Sequence, residues 1–354
     1  MIKLKLSREI ENNHLKYFQE KILPSFDIKS IFRNSVNENI HIKFMEYCKN
    51  RVEVLAIGKP KDLREFKSEL PEGAKYLLDK NPMCEYNGKR YEYINFLLDV
   101  FGYKKFCNLN QYVSNDLLTQ GNYEQINSSL KSYWTPYNFL LMSGVRVCPY
   151  CNRQYITPIY IHSNENYKQH KLRADLDHFY PKSKYPYFSM SLYNLIPCCK
   201  FCNSSLKNIK EFDITDVNPY EESLDDYFKF KSDILHDADI YIEKTYLDSR
   251  IDQYLDCFQL ESLYSYHKNQ AAELIQKRML YSESYIEELY ENNKTYFTSK
   301  AELKQLIIGY IADKECLNDE AFLKFRRDIA EQLYFIDSVP DKELLEALEE
   351  LIEK

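Results

Sequence analysis

The sequence predicts a mainly helical chain with a small α+β insert, and three observations lead there. Only 7 of the 354 residues are glycine, too few for folds that need glycine at every turn, while 44% of the chain is apolar and 15% aromatic, enough for a substantial core. Apolar residues recur with the helical period over long stretches, above all from Phe258 to Leu333. Between residues 148 and 207 that pattern gives way to paired cysteines and strand-like alternation, which places the insert.

Taken in order, residues 2–6 alternate apolar and basic side chains and suggest a short edge strand. Ser7 suits the N-cap of a helix over 8–23 that Pro24 ends. A second helix is expected over 40–48. Lys59-Pro60 opens a third, with Leu63, Phe66 and Leu70 on one face and Pro71 closing it. Residues 91–101 (YEYINFLLDVF) read as a buried helix stopped near Gly102. Nothing in 1–130 carries recognisable chemistry, so this region is expected to be a helical scaffold or a partner-binding region. Residues 136–142 form a helix leading through Ser143-Gly144 into a short strand over 145–147 that delivers Cys148. Further on, 227–230 and 240–242 read as strands. Helical spacing then links Phe258, Leu260, Leu263 and Tyr264; Ala271, Leu274, Ile275 and Leu280; Leu303, Leu306, Ile307, Tyr310 and Ile311; and Phe322, Phe325, Ile329 and Leu333. The expected division is a helical region at 1–130, a core at 131–217 and an acidic, mainly helical region at 218–354.

The net charge of −7 conceals a partition. Residues 1–130 carry a net +3, residues 131–210 a net +8 from 11 basic and 3 acidic side chains, and residues 211–354 a net −18. A basic island is the footprint of phosphate contacts, although solvated lysines also cluster by chance. The first residues contain no long apolar run and no stretch approaches a membrane span, so a soluble, cytoplasmic protein is expected.

Ten cysteines in such a chain read as metal ligands and buried thiols. Cys148-x-x-Cys151 and Cys199-x-x-Cys202 each place two sulfurs within reach of one ion, and thiolate pairs of this spacing select tetrahedral zinc. Four thiolates close the coordination sphere, so the zinc is structural. Cys198 lacks the spacing to Cys202 and is left as a packed or outward-facing thiol.

Inside the loop between the pairs, Asp175-Leu176-Asp177-His178 alternates like a strand, which puts the two aspartates on one face and His178 on the other. Phosphodiester hydrolysis needs a base for the attacking water and a hard cation for the charge that develops on phosphate. His178 titrates near neutral pH and suits the first task; Asp177 and the Asn203 carbonyl offer oxygen ligands to Mg²⁺ or Mn²⁺ for the second.

These residues resemble the HNH nuclease family, whose ββα-metal core is a hairpin followed by a helix. The family pattern D-H-x-x-P-x-S falls on Asp177 to Ser183, and N-L-x-P-x-C-x-x-C-N-x-x-x-K on Asn194 to Lys207. The resemblance implies that His178 is the general base, that Asp177 and Asn203 hold the catalytic metal, and that Asn194 braces the loop carrying the histidine. Asp175 is implied as a second acidic ligand or an orienting group. Asn203 stands where many members of the family have histidine. Candidate phosphate contacts are Arg173, Lys182, Lys184 and Lys207, with Arg146, Arg153, Lys171 and Lys200 beside them. Tyr180, Tyr185, Tyr187 and Phe188 could stack on bases or simply pack. The flanks are similar to HNH nucleases of bacterial anti-phage systems, of the Septu-type and retron-associated kinds, which implies a DNA-cutting effector working in a complex with an ATPase. The alternatives are a zinc-stapled binding adaptor without cleavage and a nuclease that acts on RNA.

Overall fold

Scarce glycine and abundant helix formers have the expected outcome: helices dominate the described residues, and the strands form four two-stranded antiparallel sheets. The computed structural model describes residues 3–108, 134–161, 170–208, 217–309, 316–336 and 342–353. The chain divides into two compact units, one made of Leu4–Val145 and Ile156–Glu221, the other of Met1–Lys3, Arg146–Tyr155 and Glu222–Lys354. The segment expected as a core, 131–217, is divided between these two units. Its aromatic residues are buried against the N-terminal helices, with the Tyr187 ring 6.0 Å from Phe44 and 5.7 Å from Phe66.

In the first unit Ser7 accepts a hydrogen bond from Ile10 N and starts α1 (Arg8–Tyr17). The helix widens and then tightens beyond Tyr17, through a π-helical turn and then a 3₁₀ turn that accommodates Pro24. Of the strand expected at 2–6, the described residues 3–6 are not in a strand, and Leu4 N bonds to Pro219 O at 2.7 Å. Next come α2 (Ser35–Lys49), α3 (Val52–Ile57), α4 (Pro60–Ser68) and α5 (Glu72–Lys80). Helix α2 begins five residues before Ile40 because Asn34 caps it, accepting from Val36 N. The hairpin β1 (Met83–Tyr86) and β2 (Lys89–Glu92) takes Tyr91 and Glu92 from the helix expected there, so α6 spans Tyr93–Val100. Gly102, at φ 74°, turns the chain into α7 (Tyr103–Cys107). After α8 (Pro136–Ser143), the expected strand at 145–147 is reduced to a single bridge from Val147 to Tyr155. Then follow β3 (Ile159–Ile161) with β4 (His170–Leu172), and β5 (Asp175–His178) with β6 (Leu195–Cys198).

The second unit pairs β7 (Phe228–Ser232) with β8 (Ile240–Lys244), longer than the strands read from sequence. Among the described residues the helices that follow are α9 (Ser249–Phe258), α10 (Leu260–Tyr264), α11 (Lys268–Leu280), α12 (Glu283–Asn292), α13 (Lys300–Ile308), α14 (Leu323–Gln332) and α15 (Lys342–Glu353). Phe322, expected inside a helix, precedes α14 with a positive φ of 64°. Phe230 stacks on Tyr264 at 4.3 Å and Tyr264 on Phe325 at 5.2 Å, which ties the sheet to α10 and α14. Tyr310 and Ile311 lie outside the described residues. Among those described, no helix is long and apolar enough to cross a membrane.

Candidate active site

The site is built on a hairpin and the turn of helix after it. Strands β5 and β6 pair antiparallel with Asp175 opposite Cys198 and His178 opposite Leu195, and a π-helical turn, Phe201–Lys207, follows. Alternation along β5 sorts its side chains. The two aspartates both reach that turn: Asp175 Oδ2 accepts from Asn203 Nδ2 at 2.9 Å, and both oxygens of Asp177 lie 2.8 Å from Lys207 Nζ. Lys207 also donates to the carbonyl of His178 at 2.8 Å.

The imidazole of His178 has different neighbours. Its Nε2 lies 3.0 Å from Ser189 O, and the Tyr103 ring meets it edge-on, 4.3 Å between centroids at 69°. Burial, with the positive charge of Lys182 and then Lys207, pushes its pKa down to about 3, and the bond to Ser189 only partly opposes this. The ring is therefore neutral at neutral pH. Donation of Nε2–H to the Ser189 carbonyl leaves the lone pair on Nδ1, the tautomer a base requires.

Asn194 ties down the loop between the strands. Its Oδ1 accepts from Tyr180 N at 2.7 Å, and its Nδ2 donates to Tyr180 O at 3.1 Å and Phe188 O at 2.9 Å, all buried. Three main-chain groups on the His178 side of the hairpin are thus held by one amide. The aromatic residues of this loop pack: Tyr180, Tyr185, Tyr187 and Phe188 are all buried, so they are not surfaces for bases.

The basic candidates fare unequally. Lys207 is 1% exposed and committed to Asp177, so it is not a surface contact for phosphate. Lys182 places its ammonium 4.5 Å from the centroid of Tyr103, and Lys184 sits 5.5 Å from that of Tyr185. Arg173 donates to Ala174 O, Arg153 to His267 Nε2, and Arg146 pairs with Asp319 at 3.8 Å. Lys200 is exposed, and the side chain of Lys171 lies outside the described residues.

The sulfurs of Cys148, Cys151, Cys199 and Cys202 all lie within 4.8 Å of one another, and all four residues are buried. Tetrahedral zinc with bonds of about 2.3 Å spaces sulfurs by about 3.8 Å, so a small contraction accommodates it and the cluster can hold a metal such as zinc. The two turns are alike: Asn152 N bonds Cys148 O at 2.8 Å and Asn203 N bonds Cys199 O at 3.0 Å, while Cys202 N approaches Cys199 Sγ at 3.4 Å. Asn152 takes a positive φ of 51°, and its side chain accepts from Lys324 N and donates to Leu317 O. Cys198 is fully buried outside the cluster, a packed thiol.

No family model, curated protein or solved structure matches this chain.

For a catalytic cation the donors are of the right kind but partly engaged. Asp175, Asp177 and the Asn203 carbonyl are hard oxygen ligands, yet Asp177 shares both oxygens with an ammonium that already supplies positive charge. Among the described residues, the four cysteines are the only gathering of three or more cysteine, histidine or acidic donors. Sequence reasoning missed Tyr103 and Ser189. Tyr103 is one of 32 tyrosines and lies 75 positions before His178; Ser189 acts through its main chain, which no residue type announces.

Proposed function

We propose that this chain is a metal-dependent endonuclease of the HNH type that hydrolyses phosphodiester bonds of DNA and carries a structural zinc on its four clustered cysteines. The observation that carries the reading is the setting of His178: an imidazole bonded through Nε2 to Ser189 O, on a hairpin whose next residue back is Asp177 and whose following turn brings Lys207 and Asn203. In this reading Nδ1 of His178 takes the proton of the attacking water. Asn194 keeps the loop that positions it from moving. A divalent ion bound by Asp177, Asn203 and Asp175 would stabilise charge on the phosphate and the leaving oxygen. Lys207 orients Asp177 and holds the His178 carbonyl, coupling the acid to the base through one ammonium.

The acidic region from 218 onward would repel a bound nucleic acid, so we assign it to contact with a partner protein. An ATPase of a bacterial anti-phage system fits that assignment, in which the chain is the effector nuclease. Binding without cleavage is the second reading, and the engagement of both Asp177 oxygens by Lys207 favours it.

One experiment separates these readings. Purified protein, alone and with the products of adjacent genes, is incubated with plasmid, linear and single-stranded DNA and with RNA in Mg²⁺ or Mn²⁺, beside His178→Ala. Metal-dependent DNA cleavage lost in the variant supports the proposal. Cleavage of RNA alone moves the target, and binding without cleavage in any arm leaves the adaptor.

A further inference from the structure

We infer that Tyr103, which lies far outside the motif, is a positioning residue for His178; this rests on the hydrolytic reading above. The hydrogen bond from Nε2 to Ser189 O fixes one point of the imidazole and leaves the ring free to swing about it. A second contact is needed to fix its plane. The Tyr103 ring supplies it at 4.3 Å, inclined 69°, the edge-to-face geometry that aromatic rings prefer. Tyr103 is itself fixed to the strand that bears the histidine, because its hydroxyl donates to Leu176 O on β5 at 3.2 Å. The ring also receives the ammonium of Lys182 at 4.5 Å, so one tyrosine touches a base candidate and a nearby cation. Gly102 makes the arrangement reachable: its φ of 74° is a conformation that other residues rarely adopt, and it aims the first residue of α7 toward the hairpin. Three features of the fold, a glycine turn, a hydroxyl bond and a ring contact, converge on the same imidazole.

The test compares full-length wild type, Tyr103→Leu and Tyr103→Phe. Cleavage kinetics on DNA with Mg²⁺ are read beside the ¹⁵N spectrum of His178 in metal-free protein and a thermal melt. The expected result for Tyr103→Leu is a kcat lower by about 10-fold or more with KM little changed, since misplacement of a reacting group costs rate rather than affinity. Its His178 signals should depart from the single Nε2–H tautomer. Tyr103→Phe keeps the ring and should restore kcat to within about 3-fold together with the wild-type spectrum. Should the leucine variant not fold, Tyr103→Met, closer in length, is read in the same way. A wild-type His178 spectrum in the leucine or methionine variant overturns the inference, as does a loss of activity that only follows the unfolded fraction. If the wild type cuts no nucleic acid, the proposed function fails, and the spectrum alone still decides whether Tyr103 holds the ring.

Discussion

Two buried lysines, Lys207 and Lys324, use the same chemistry to different ends. Each is 1% exposed and each divides its ammonium between carboxylate and main-chain carbonyl. Lys324 meets Asp225 at 3.0 Å, Asp328 at 2.9 Å and Phe228 O at 3.0 Å, while Asp328 also receives Phe230 N and Lys229. Burial works against ionisation of Asp225, but Lys324 overcomes it and holds the carboxyl well below its usual range. Every charge there serves another charge and fastens a strand to a helix. Lys207 instead joins Asp177 to the backbone of a histidine that burial keeps neutral. On the proposed reading, what separates the two is the imidazole beside Lys207, and not the ion pair.

The comparison can be broken in several ways. Neither lysine should match the cysteines in weight: Cys148→Ser or Cys202→Ser should release zinc and remove on the order of 10 kcal/mol of local stability, read by elemental analysis and melting, whereas Cys198→Ser should be nearly silent. Lys324→Met strands two buried carboxylates and should cost about 3–5 kcal/mol in a denaturant melt, with activity per folded molecule unchanged. Lys207→Met should lower both stability and cleavage; loss of stability alone would make the two lysines equivalent. His178→Ala is expected to reverse the pattern, removing about 10²- to 10⁴-fold of rate with little change in Tm.

The smallest effect concerns pH. His14, buried between Trp134 Nε1 and Met190 O, has its pKa pushed down to about 4 by burial. A folded pKa below the unfolded value near 6.5 means the unfolded chain binds the proton first. Stability from this group is complete above about pH 6.5 and falls by about 3 kcal/mol as pH drops toward 4. The Asp225 carboxyl, depressed in the folded state, contributes until pH falls through the ordinary carboxylate range near 3.8. Urea melts between neutral pH and about pH 4 should therefore show the histidine effect before that of Asp225, and His14→Gln should reduce the slope while the similarly depressed His178 keeps part of it.

Local signals made much of this legible. Ser7, Pro60 and Gly144 act at helix ends through bonds a few residues long, and the alternation of Asp175 and Asp177 needs only the strand pleat. The pairing of Cys148 and Cys151 with Cys199 and Cys202, and not Cys198, follows from how many residues a turn spans. What stayed hidden depends on distant partners. Lys207 reads as a surface cation until Asp177 buries it, and Tyr91 reads as helical until Cys84 pairs with it across β1 and β2. Nor does any periodicity announce that residues 146–155 belong with the chain beyond 222.

That last grouping bears on the order of events at the ribosome. The turn holding Cys148 and Cys151 is supported by the Tyr254 and Tyr264 hydroxyls, each 2.7 Å from a carbonyl of the turn, and by Phe322 N on Asn152 O. These supports emerge roughly 100 to 170 residues later, which at a synthesis rate of about 5–20 residues per second is a delay of about 5 to 35 seconds. A nascent chain therefore displays its first cysteine pair before the residues that support the turn have been made. For the nuclease proposed above, a cysteine turn supported only once residue 322 has been made would keep shorter nascent chains inert.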